Sequence, residues 1–286
     1  MNETKNVSEN KVPSSLTQVG ITMKYTFLDY FRSRRFFILL VITLLISALL
    51  TFIVGYYRPE TFLTSDLSFY SRWWGMSVTF VIVLSGIFFG GDAISGEFQN
   101  KTGYFGVPNP IRRSSIYVGK WLAAFIAATV ILVVFTAITV GNGMYYFGLT
   151  VPYQFGLSVL LAWFYLAAVL GFTFFFSSLF KSSSISILVT AILFLFAFTL
   201  IQTLVADLVQ IEPWFILTYG GQIIGNVLQV PYPKQTSPIT SVGPGGRTLT
   251  FITYNATIPE GLAIIGLYFI ITAVLGLVLF ERKEFT

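Results

Sequence analysis

The side chains able to do chemistry in this chain are few, and their types narrow the choice before any fold is considered. Among 286 residues there are 12 Asp and Glu, 17 Lys and Arg, and neither Cys nor His. Thiolate nucleophiles, disulfides, zinc sites built on Cys or His, and His acid–base catalysis are excluded together. A nucleotide-phosphate loop of the form Gly-x-x-x-x-Gly-Lys-[Ser/Thr] is also missing. Gly246-Arg247-Thr248 imitates its end, but Ser241 stands where the first glycine belongs.

Charged and aromatic residues concentrate in one stretch, Gly90 to Lys120. Asp92 and Glu97 come first, then Lys101, Arg112 and Arg113, with Phe98, Tyr104 and Phe105 interleaved. That mixture suits docking into a groove on a soluble partner, where aromatic anchors supply contact area and charges set register. The alternative for Asp92 and Glu97 is helix capping and loop salt bridges, and both roles stay open.

The elements that must position this stretch follow from composition. With 55% hydrophobic residues, 10% charged residues and a mean hydropathy of +0.78, the chain cannot clothe a globular surface, which ordinarily takes about 25% charged residues. A helix needs about 20 mainly apolar residues to cross about 30 Å of hydrocarbon, because lipid offers unpaired backbone groups no partner. Six segments meet this: Phe36–Tyr56, Trp73–Gly91, Tyr117–Val140, Phe155–Leu179, Ile185–Ala206 and Gly261–Phe280. They contain no Asp or Glu, and Lys120 alone, one turn inside the third, is placed to snorkel to the interface. An all-α polytopic membrane protein is expected. Ala123/Ala127, Ala124/Ala128 and Ala167/Gly171 read as close helix packing, and Gln202 as a helix–helix hydrogen bond.

Lys and Arg favour the cytoplasmic side. With six spans they divide thirteen to four in favour of the side holding both termini and the Gly90–Lys120 loop. The expected localisation is the cell membrane, multi-pass, with both termini cytoplasmic. The net charge of +5 then reflects topology and anionic lipid, not nucleic-acid binding. The polar start of the chain lacks a signal-peptide core, so no cleaved leader is expected.

Residues 1–18 are expected to be a disordered cytoplasmic tail, and residues 19–286 the six-span transmembrane domain. Thr22, Thr26, Asp29 and Ser33 recur at helical spacing as a polar stripe among Ile21, Tyr25, Phe27, Leu28 and Phe31. An amphipathic helix lying in the cytoplasmic interface is predicted there. Leu208–Val230 is apolar, yet Glu212, Pro213, Gly220 and Gly221 make a poor lipid-facing helix. A broken external or re-entrant element is predicted instead of a seventh span. It belongs to an external loop, 207–260, whose Tyr232–Gly246 tail reads as irregular. Asn255-Ala-Thr would lie outside and could carry glycan where the cell has that machinery; Asn6-Val-Ser and Asn100-Lys-Thr would not.

The order Asp92, Ile94-Ser95-Gly96-Glu97, Lys101-Thr102-Gly103, Pro110, Arg112-Arg113, Gly119-Lys120 resembles the cytoplasmic loop of ATP-binding-cassette (ABC) type 2 transporter permeases. The interfacial helix, six spans, external element and charged end Glu281–Thr286 extend the resemblance over nearly the whole chain. One departure is Tyr104-Phe105-Gly106-Val107, where the family usually has a leucine-rich turn. The resemblance implies a permease that lacks ATPase activity, partnered by separate nucleotide-binding subunits that hold ATP and Mg. A second permease subunit, in a homodimer or heterodimer, would complete the pathway, and export would be the direction. The coupling loop, 91–117, would meet the ATPase through Asp92, Glu97, Phe98, Lys101, Thr102, Tyr104, Arg112 and Arg113. A reading from another class is a channel, scramblase or membrane assembly protein that needs no ATPase. An intramembrane enzyme is disfavoured, because the spans bring no Asp, Glu or His together.

Overall fold

The computed structural model describes residues 14–100, 112–242 and 248–283. Among these, six helices are long and apolar enough to cross a membrane. A short helix α1, Ser15–Arg32, precedes the first of them, α2, Arg34–Tyr57. A single turn α3, Glu60–Leu63, leads to α4, Asp66–Gly90, and a five-residue helix α5, Ser95–Gln99, follows it. The third and fourth spans are α6, Arg113–Phe147, and α7, Tyr153–Leu179. The fifth is α8, Ser183–Val209, which changes to π-helix at Leu193–Ala197 and again at Val205–Val209. Two short helices, α9 (Leu217–Gly221) and α10 (Ile223–Asn226), and a hairpin of β1 (Thr236–Val242) and β2 (Thr248–Tyr254) come before the sixth span, α11, Ile258–Arg282.

The helices run past the apolar segments read from sequence because caps, not hydropathy, end them. Ser65 Oγ accepts from Ser68 N–H at the start of α4, and Thr257 with Glu260 forms a capping box that starts α11 at Ile258. The 35 residues of α6 reach roughly 50 Å at 1.5 Å per residue, well beyond the hydrocarbon thickness. The helix therefore extends past the apolar layer, and Arg113 stands at its first residue.

Small residues set the helix spacing. Ala123, Ala124, Ala127 and Ala128 are all fully buried on α6, as the spacing in sequence predicts. Gly86 of α4 leaves no room for a side chain, since a Cβ there would lie 2.5 Å from Val169 Cγ1 of α7. Gly171 of α7 meets Thr272 and Phe269 of α11 in the same way. Within this frame the Trp74 ring stacks on Phe135 at 5.6 Å, and the Trp74 indole N–H donates to Ser158 Oγ at 2.9 Å. The Ser158 hydroxyl in turn donates to the Ile224 carbonyl at 2.6 Å, which pins α10 to the bundle.

The segment read as a broken element is one. Leu217, Tyr219, Ile223 and Ile224 are fully buried, and the two glycines permit the approach: Gly220 faces Ile264 of α11 and Gly221 faces Tyr165 of α7. Gln202 reaches it from α8, accepting from the Thr218 hydroxyl at 3.1 Å.

Two expectations need correction. Residues 15–18 of the expected tail are helical: Ser14 Oγ caps α1 by accepting from Thr17 N–H at 3.3 Å, and Gln18 is buried. The stretch after Tyr232, read as irregular from its Pro, Gly, Ser and Thr content, contains β1, paired antiparallel with β2 from Thr236↔Tyr254 to Val242↔Thr248. A two-stranded ribbon has only edge strands, so Pro238 costs no inner ladder bond there, and the β-branched threonines suit the pleat.

Helix α1 is separate from the first span, because the chain breaks to extended backbone at Ser33, whose Oγ caps α2 through Phe36 N–H at 3.3 Å. Its polar stripe meets α6 at Thr22, which packs on Gly119, while Ile21, Tyr25 and Phe31 stay exposed. A Cβ on Gly119 would fall 2.7 Å from Thr22 Cβ and 2.9 Å from the Val19 carbonyl oxygen. Gly119→Leu is therefore expected to force α1 off α6 at a cost of about 1–3 kcal/mol. A denaturation midpoint in detergent equal to that of the unsubstituted protein would refute this packing.

Candidate functional site

The loop singled out by sequence begins where α4 ends. After Gly90 the chain makes a tight turn, and the first amides of α5 find their cap on another helix: Ile94 and Ser95 N–H donate to buried Ser177 Oγ of α7 at 2.9 and 3.0 Å. The helix would otherwise open with unpaired donors. Its other end returns the service. Gln99 Oε1 accepts from Ser183 N–H at 2.7 Å and so caps α8.

The charged residues lock this joint. Asp92 Oδ2 receives Arg35 Nη1 of α2 at 2.5 Å. Glu97 pairs with Lys120 of α6, whose Nζ also donates to the Ala93 carbonyl at 2.9 Å. Lys120 does not reach outward as a snorkelling lysine would; its side chain is 14% exposed and Glu97 is 25% exposed, so the pair is largely withdrawn from water. Phe98 meets Phe280 of α11 edge-on, with ring centres 6.3 Å apart, and Lys283 Nζ lies 4.4 Å above the Phe98 ring.

Carbonyl groups left over at two helix ends complete the arrangement. Arg113 Nη1 donates to the Glu281 and Lys283 carbonyls, both at 2.9 Å, and holds the end of α11. Lys283 Nζ donates to the Ser178 and Phe180 carbonyls at 2.9 and 2.7 Å and holds the end of α7. Burial and the nearby Lys181 ammonium push the Lys283 ammonium down to about 8. The Arg112 backbone N–H donates to Gln18 Oε1 of α1 at 3.0 Å, and Arg112 itself is exposed. Tyr30 of α1 donates to the Phe89 carbonyl at 2.8 Å, beside the same turn.

Asp92, Glu97, Phe98 and Arg113 are thus brought together, but in contacts within the chain. Arg112 stands apart and faces outward. Lys101, Thr102 and Tyr104 lie outside the described residues, as do Gly246 and Arg247 of the phosphate-loop imitation. Sequence reasoning missed Arg35, Gln18, Gln99, Ser177 and Lys283 as partners. A cation or polar residue adjoining a helix end is their only local signal, and it names no partner. Asn255 sits just after β2, its Nδ2 donating to the Lys234 carbonyl at 3.0 Å. A glycan on that nitrogen would displace this contact.

Among the described residues no three Asp or Glu side chains converge where a metal ion could be held. What the geometry offers is mechanical: the turn and short helix from Asp92 to Gln99 are tied to α2 through Asp92, to α6 through Glu97, to α7 through Ser177, to α8 through Gln99 and to α11 through Phe98.

The fold defines an all-α polytopic membrane protein with six helices long and apolar enough to span. The chain belongs to the ABC-2 transporter family, whose family model, the ABC-2 family transporter protein, matches residues 23–285. It is thereby a multi-pass permease of an ABC transporter. No individual curated protein matched the chain.

Proposed function

We propose that this chain is the permease subunit of an ABC exporter, moving its cargo by alternating access. ATP, with Mg, is bound and hydrolysed on separate nucleotide-binding subunits. A second permease subunit, either a copy or a related chain, completes the pathway in the cell membrane. The observation that carries this is the set of ties made by Asp92 and α5 together: through them an input at 91–117 would reach five spans at once. Exposed Arg112, Gln99 and Asn100 give an ATPase subunit a surface to press on, while Asp92, Glu97, Phe98 and Arg113 keep that surface attached to the spans. Lys101, Thr102 and Tyr104 are proposed to complete it.

The reading requires both termini and this loop to be cytoplasmic and the hairpin to be external, as the excess of Lys and Arg at one end of the bundle supports. The chain has no cysteine of its own, so single introduced thiols report without background. A cysteine at Ser237 should react with an impermeant thiol reagent in intact cells, and one at Ser114 should react only after the membrane is opened. The reverse pattern would overturn the orientation.

A further inference from the structure

A second feature has no part in the joint. Between α4, α8 and the α9–α10 element lies a cavity of about 1220 Å³. Its lining from α4 includes Ser65, Ser68, Arg72, Met76, Thr79 and Val83, spacings of three and four that define one face of the helix. From Ser68 to Val83 that face runs about 22 Å at 1.5 Å per residue, most of the depth of a bilayer's hydrocarbon.

The two ends differ in chemistry. Toward the start of α4 the wall carries Thr64, Ser68, Arg72 and Gln229; toward its other end it carries Phe80, Val83 and Phe194. Arg72 is half-buried, and among the described residues no carboxylate or carbonyl pairs with its guanidinium. Asp66, one turn and a half away on α4, is engaged with the Leu67 amide at 2.7 Å. Withdrawing a guanidinium from water without an anion is costly. On the inner wall, buried Gln222 Oε1 and Asn226 Nδ2 make no hydrogen bond. The neighbouring Tyr232 hydroxyl donates to the Ala256 carbonyl at 2.6 Å.

A cation among hydroxyls and amides at one end, and Phe80, Val83 and Phe194 with only hydroxyls such as Thr79 and Thr199 between them at the other, is complementary to one kind of molecule. We infer that this cleft binds an anionic amphiphile, its acidic headgroup held by Arg72 and its hydrocarbon tail laid along Phe80, Val83 and Phe194. In treating that molecule as cargo the inference rests on the function proposed above; the binding itself does not.

The test uses the full-length chain purified in detergent, with fluorescent phosphatidylglycerol as probe and phosphatidylcholine and inorganic phosphate as competitors. Arg72→Gln is expected to weaken phosphatidylglycerol binding about tenfold or more, and Arg72→Lys to retain most of it. Phosphatidylcholine should compete poorly, and inorganic phosphate should fail to displace the probe at equal concentration. Phe80 is partly exposed, so Phe80→Ser keeps the charge and the packing and is expected to weaken binding several-fold through the tail. An Arg72→Gln variant within twofold of the original, equal affinity for both lipids, displacement by phosphate alone, or an unaltered Phe80→Ser variant would each overturn the assignment. Intact lipid binding with no ATP-driven transport would count against the proposed function and leave this site standing. Transport with no lipid binding would do the opposite.

Discussion

Reversing the charges of Glu97 and Arg113 together is expected to abolish ATP-driven transport and lower ATPase copurification while the protein still reaches the membrane. Glu97→Lys places a second ammonium beside Lys120, in a pair already largely withdrawn from water. Two like charges 4 Å apart at an effective dielectric of about 20 repel by about 4 kcal/mol. Arg113→Glu turns a donor to the Glu281 and Lys283 carbonyls into an acceptor facing acceptors. Glu97→Lys loosens α5 from α6 and Arg113→Glu loosens the end of α11 from α6, and neither touches the apolar faces that decide insertion. Unchanged transport in the double variant would sink the docking proposal. A charge swap separates the two ways the loss could arise. If Glu97 serves to hold α5 against α6, Glu97→Lys with Lys120→Glu should restore most of the activity. If Glu97 touches the ATPase directly, the swap should stay inactive, because the partner would still meet the wrong sign.

The second large effect concerns energy. Purified protein reconstituted alone is expected neither to hydrolyse ATP nor to move cargo uphill, and addition of its ATPase partner is expected to restore both. Gradient-driven transport ordinarily needs a site within the membrane whose occupancy changes, commonly an Asp, Glu or His. The apolar stretches read from sequence contain none of these. An ion site made of hydroxyls is the competing arrangement, with Thr129, Thr136 and Thr199 as its candidates. Thr129 donates to the Phe125 carbonyl at 2.7 Å and accepts from Trp163, and Thr136 donates to the Leu132 carbonyl at 2.7 Å. Two of the three hydroxyls are therefore committed to their own helix. Uphill uptake into liposomes holding only this chain, driven by a proton or sodium gradient, would decide for the competing arrangement.

The sequence by itself determined what depends on one segment at a time. Whether a stretch spans depends on its own run of apolar residues, so all six spans could be read, and Glu212, Gly220 and Gly221 were enough to remove a seventh. Glycine and alanine at helical spacing announced tight packing, and the charged loop announced a site. The ends of α4 and α11 and the start of α1 were less legible, because a cap is one hydrogen bond and leaves a weak mark on composition. The hairpin was hidden because proline and glycine, which argue against strands in a broad sheet, are tolerated in a ribbon made only of edges.

Only the tertiary structure decided who meets whom. Asp92 had two open roles, docking contact or internal salt bridge, and its neighbour in space is Arg35, 57 positions away. Lys283 finds the Ser178 carbonyl across 105 positions, and Arg113 finds Glu281 across 168. Arg72 reads in sequence as one external cation among four, and becomes the charged end of a cleft only when α8 and α9–α10 pack beside α4. Hydropathy is a property of contiguous residues and survives the loss of the third dimension. A salt bridge, a cap supplied by another helix or a cavity wall is set by distances through space, and chain order does not encode those until the helices have packed.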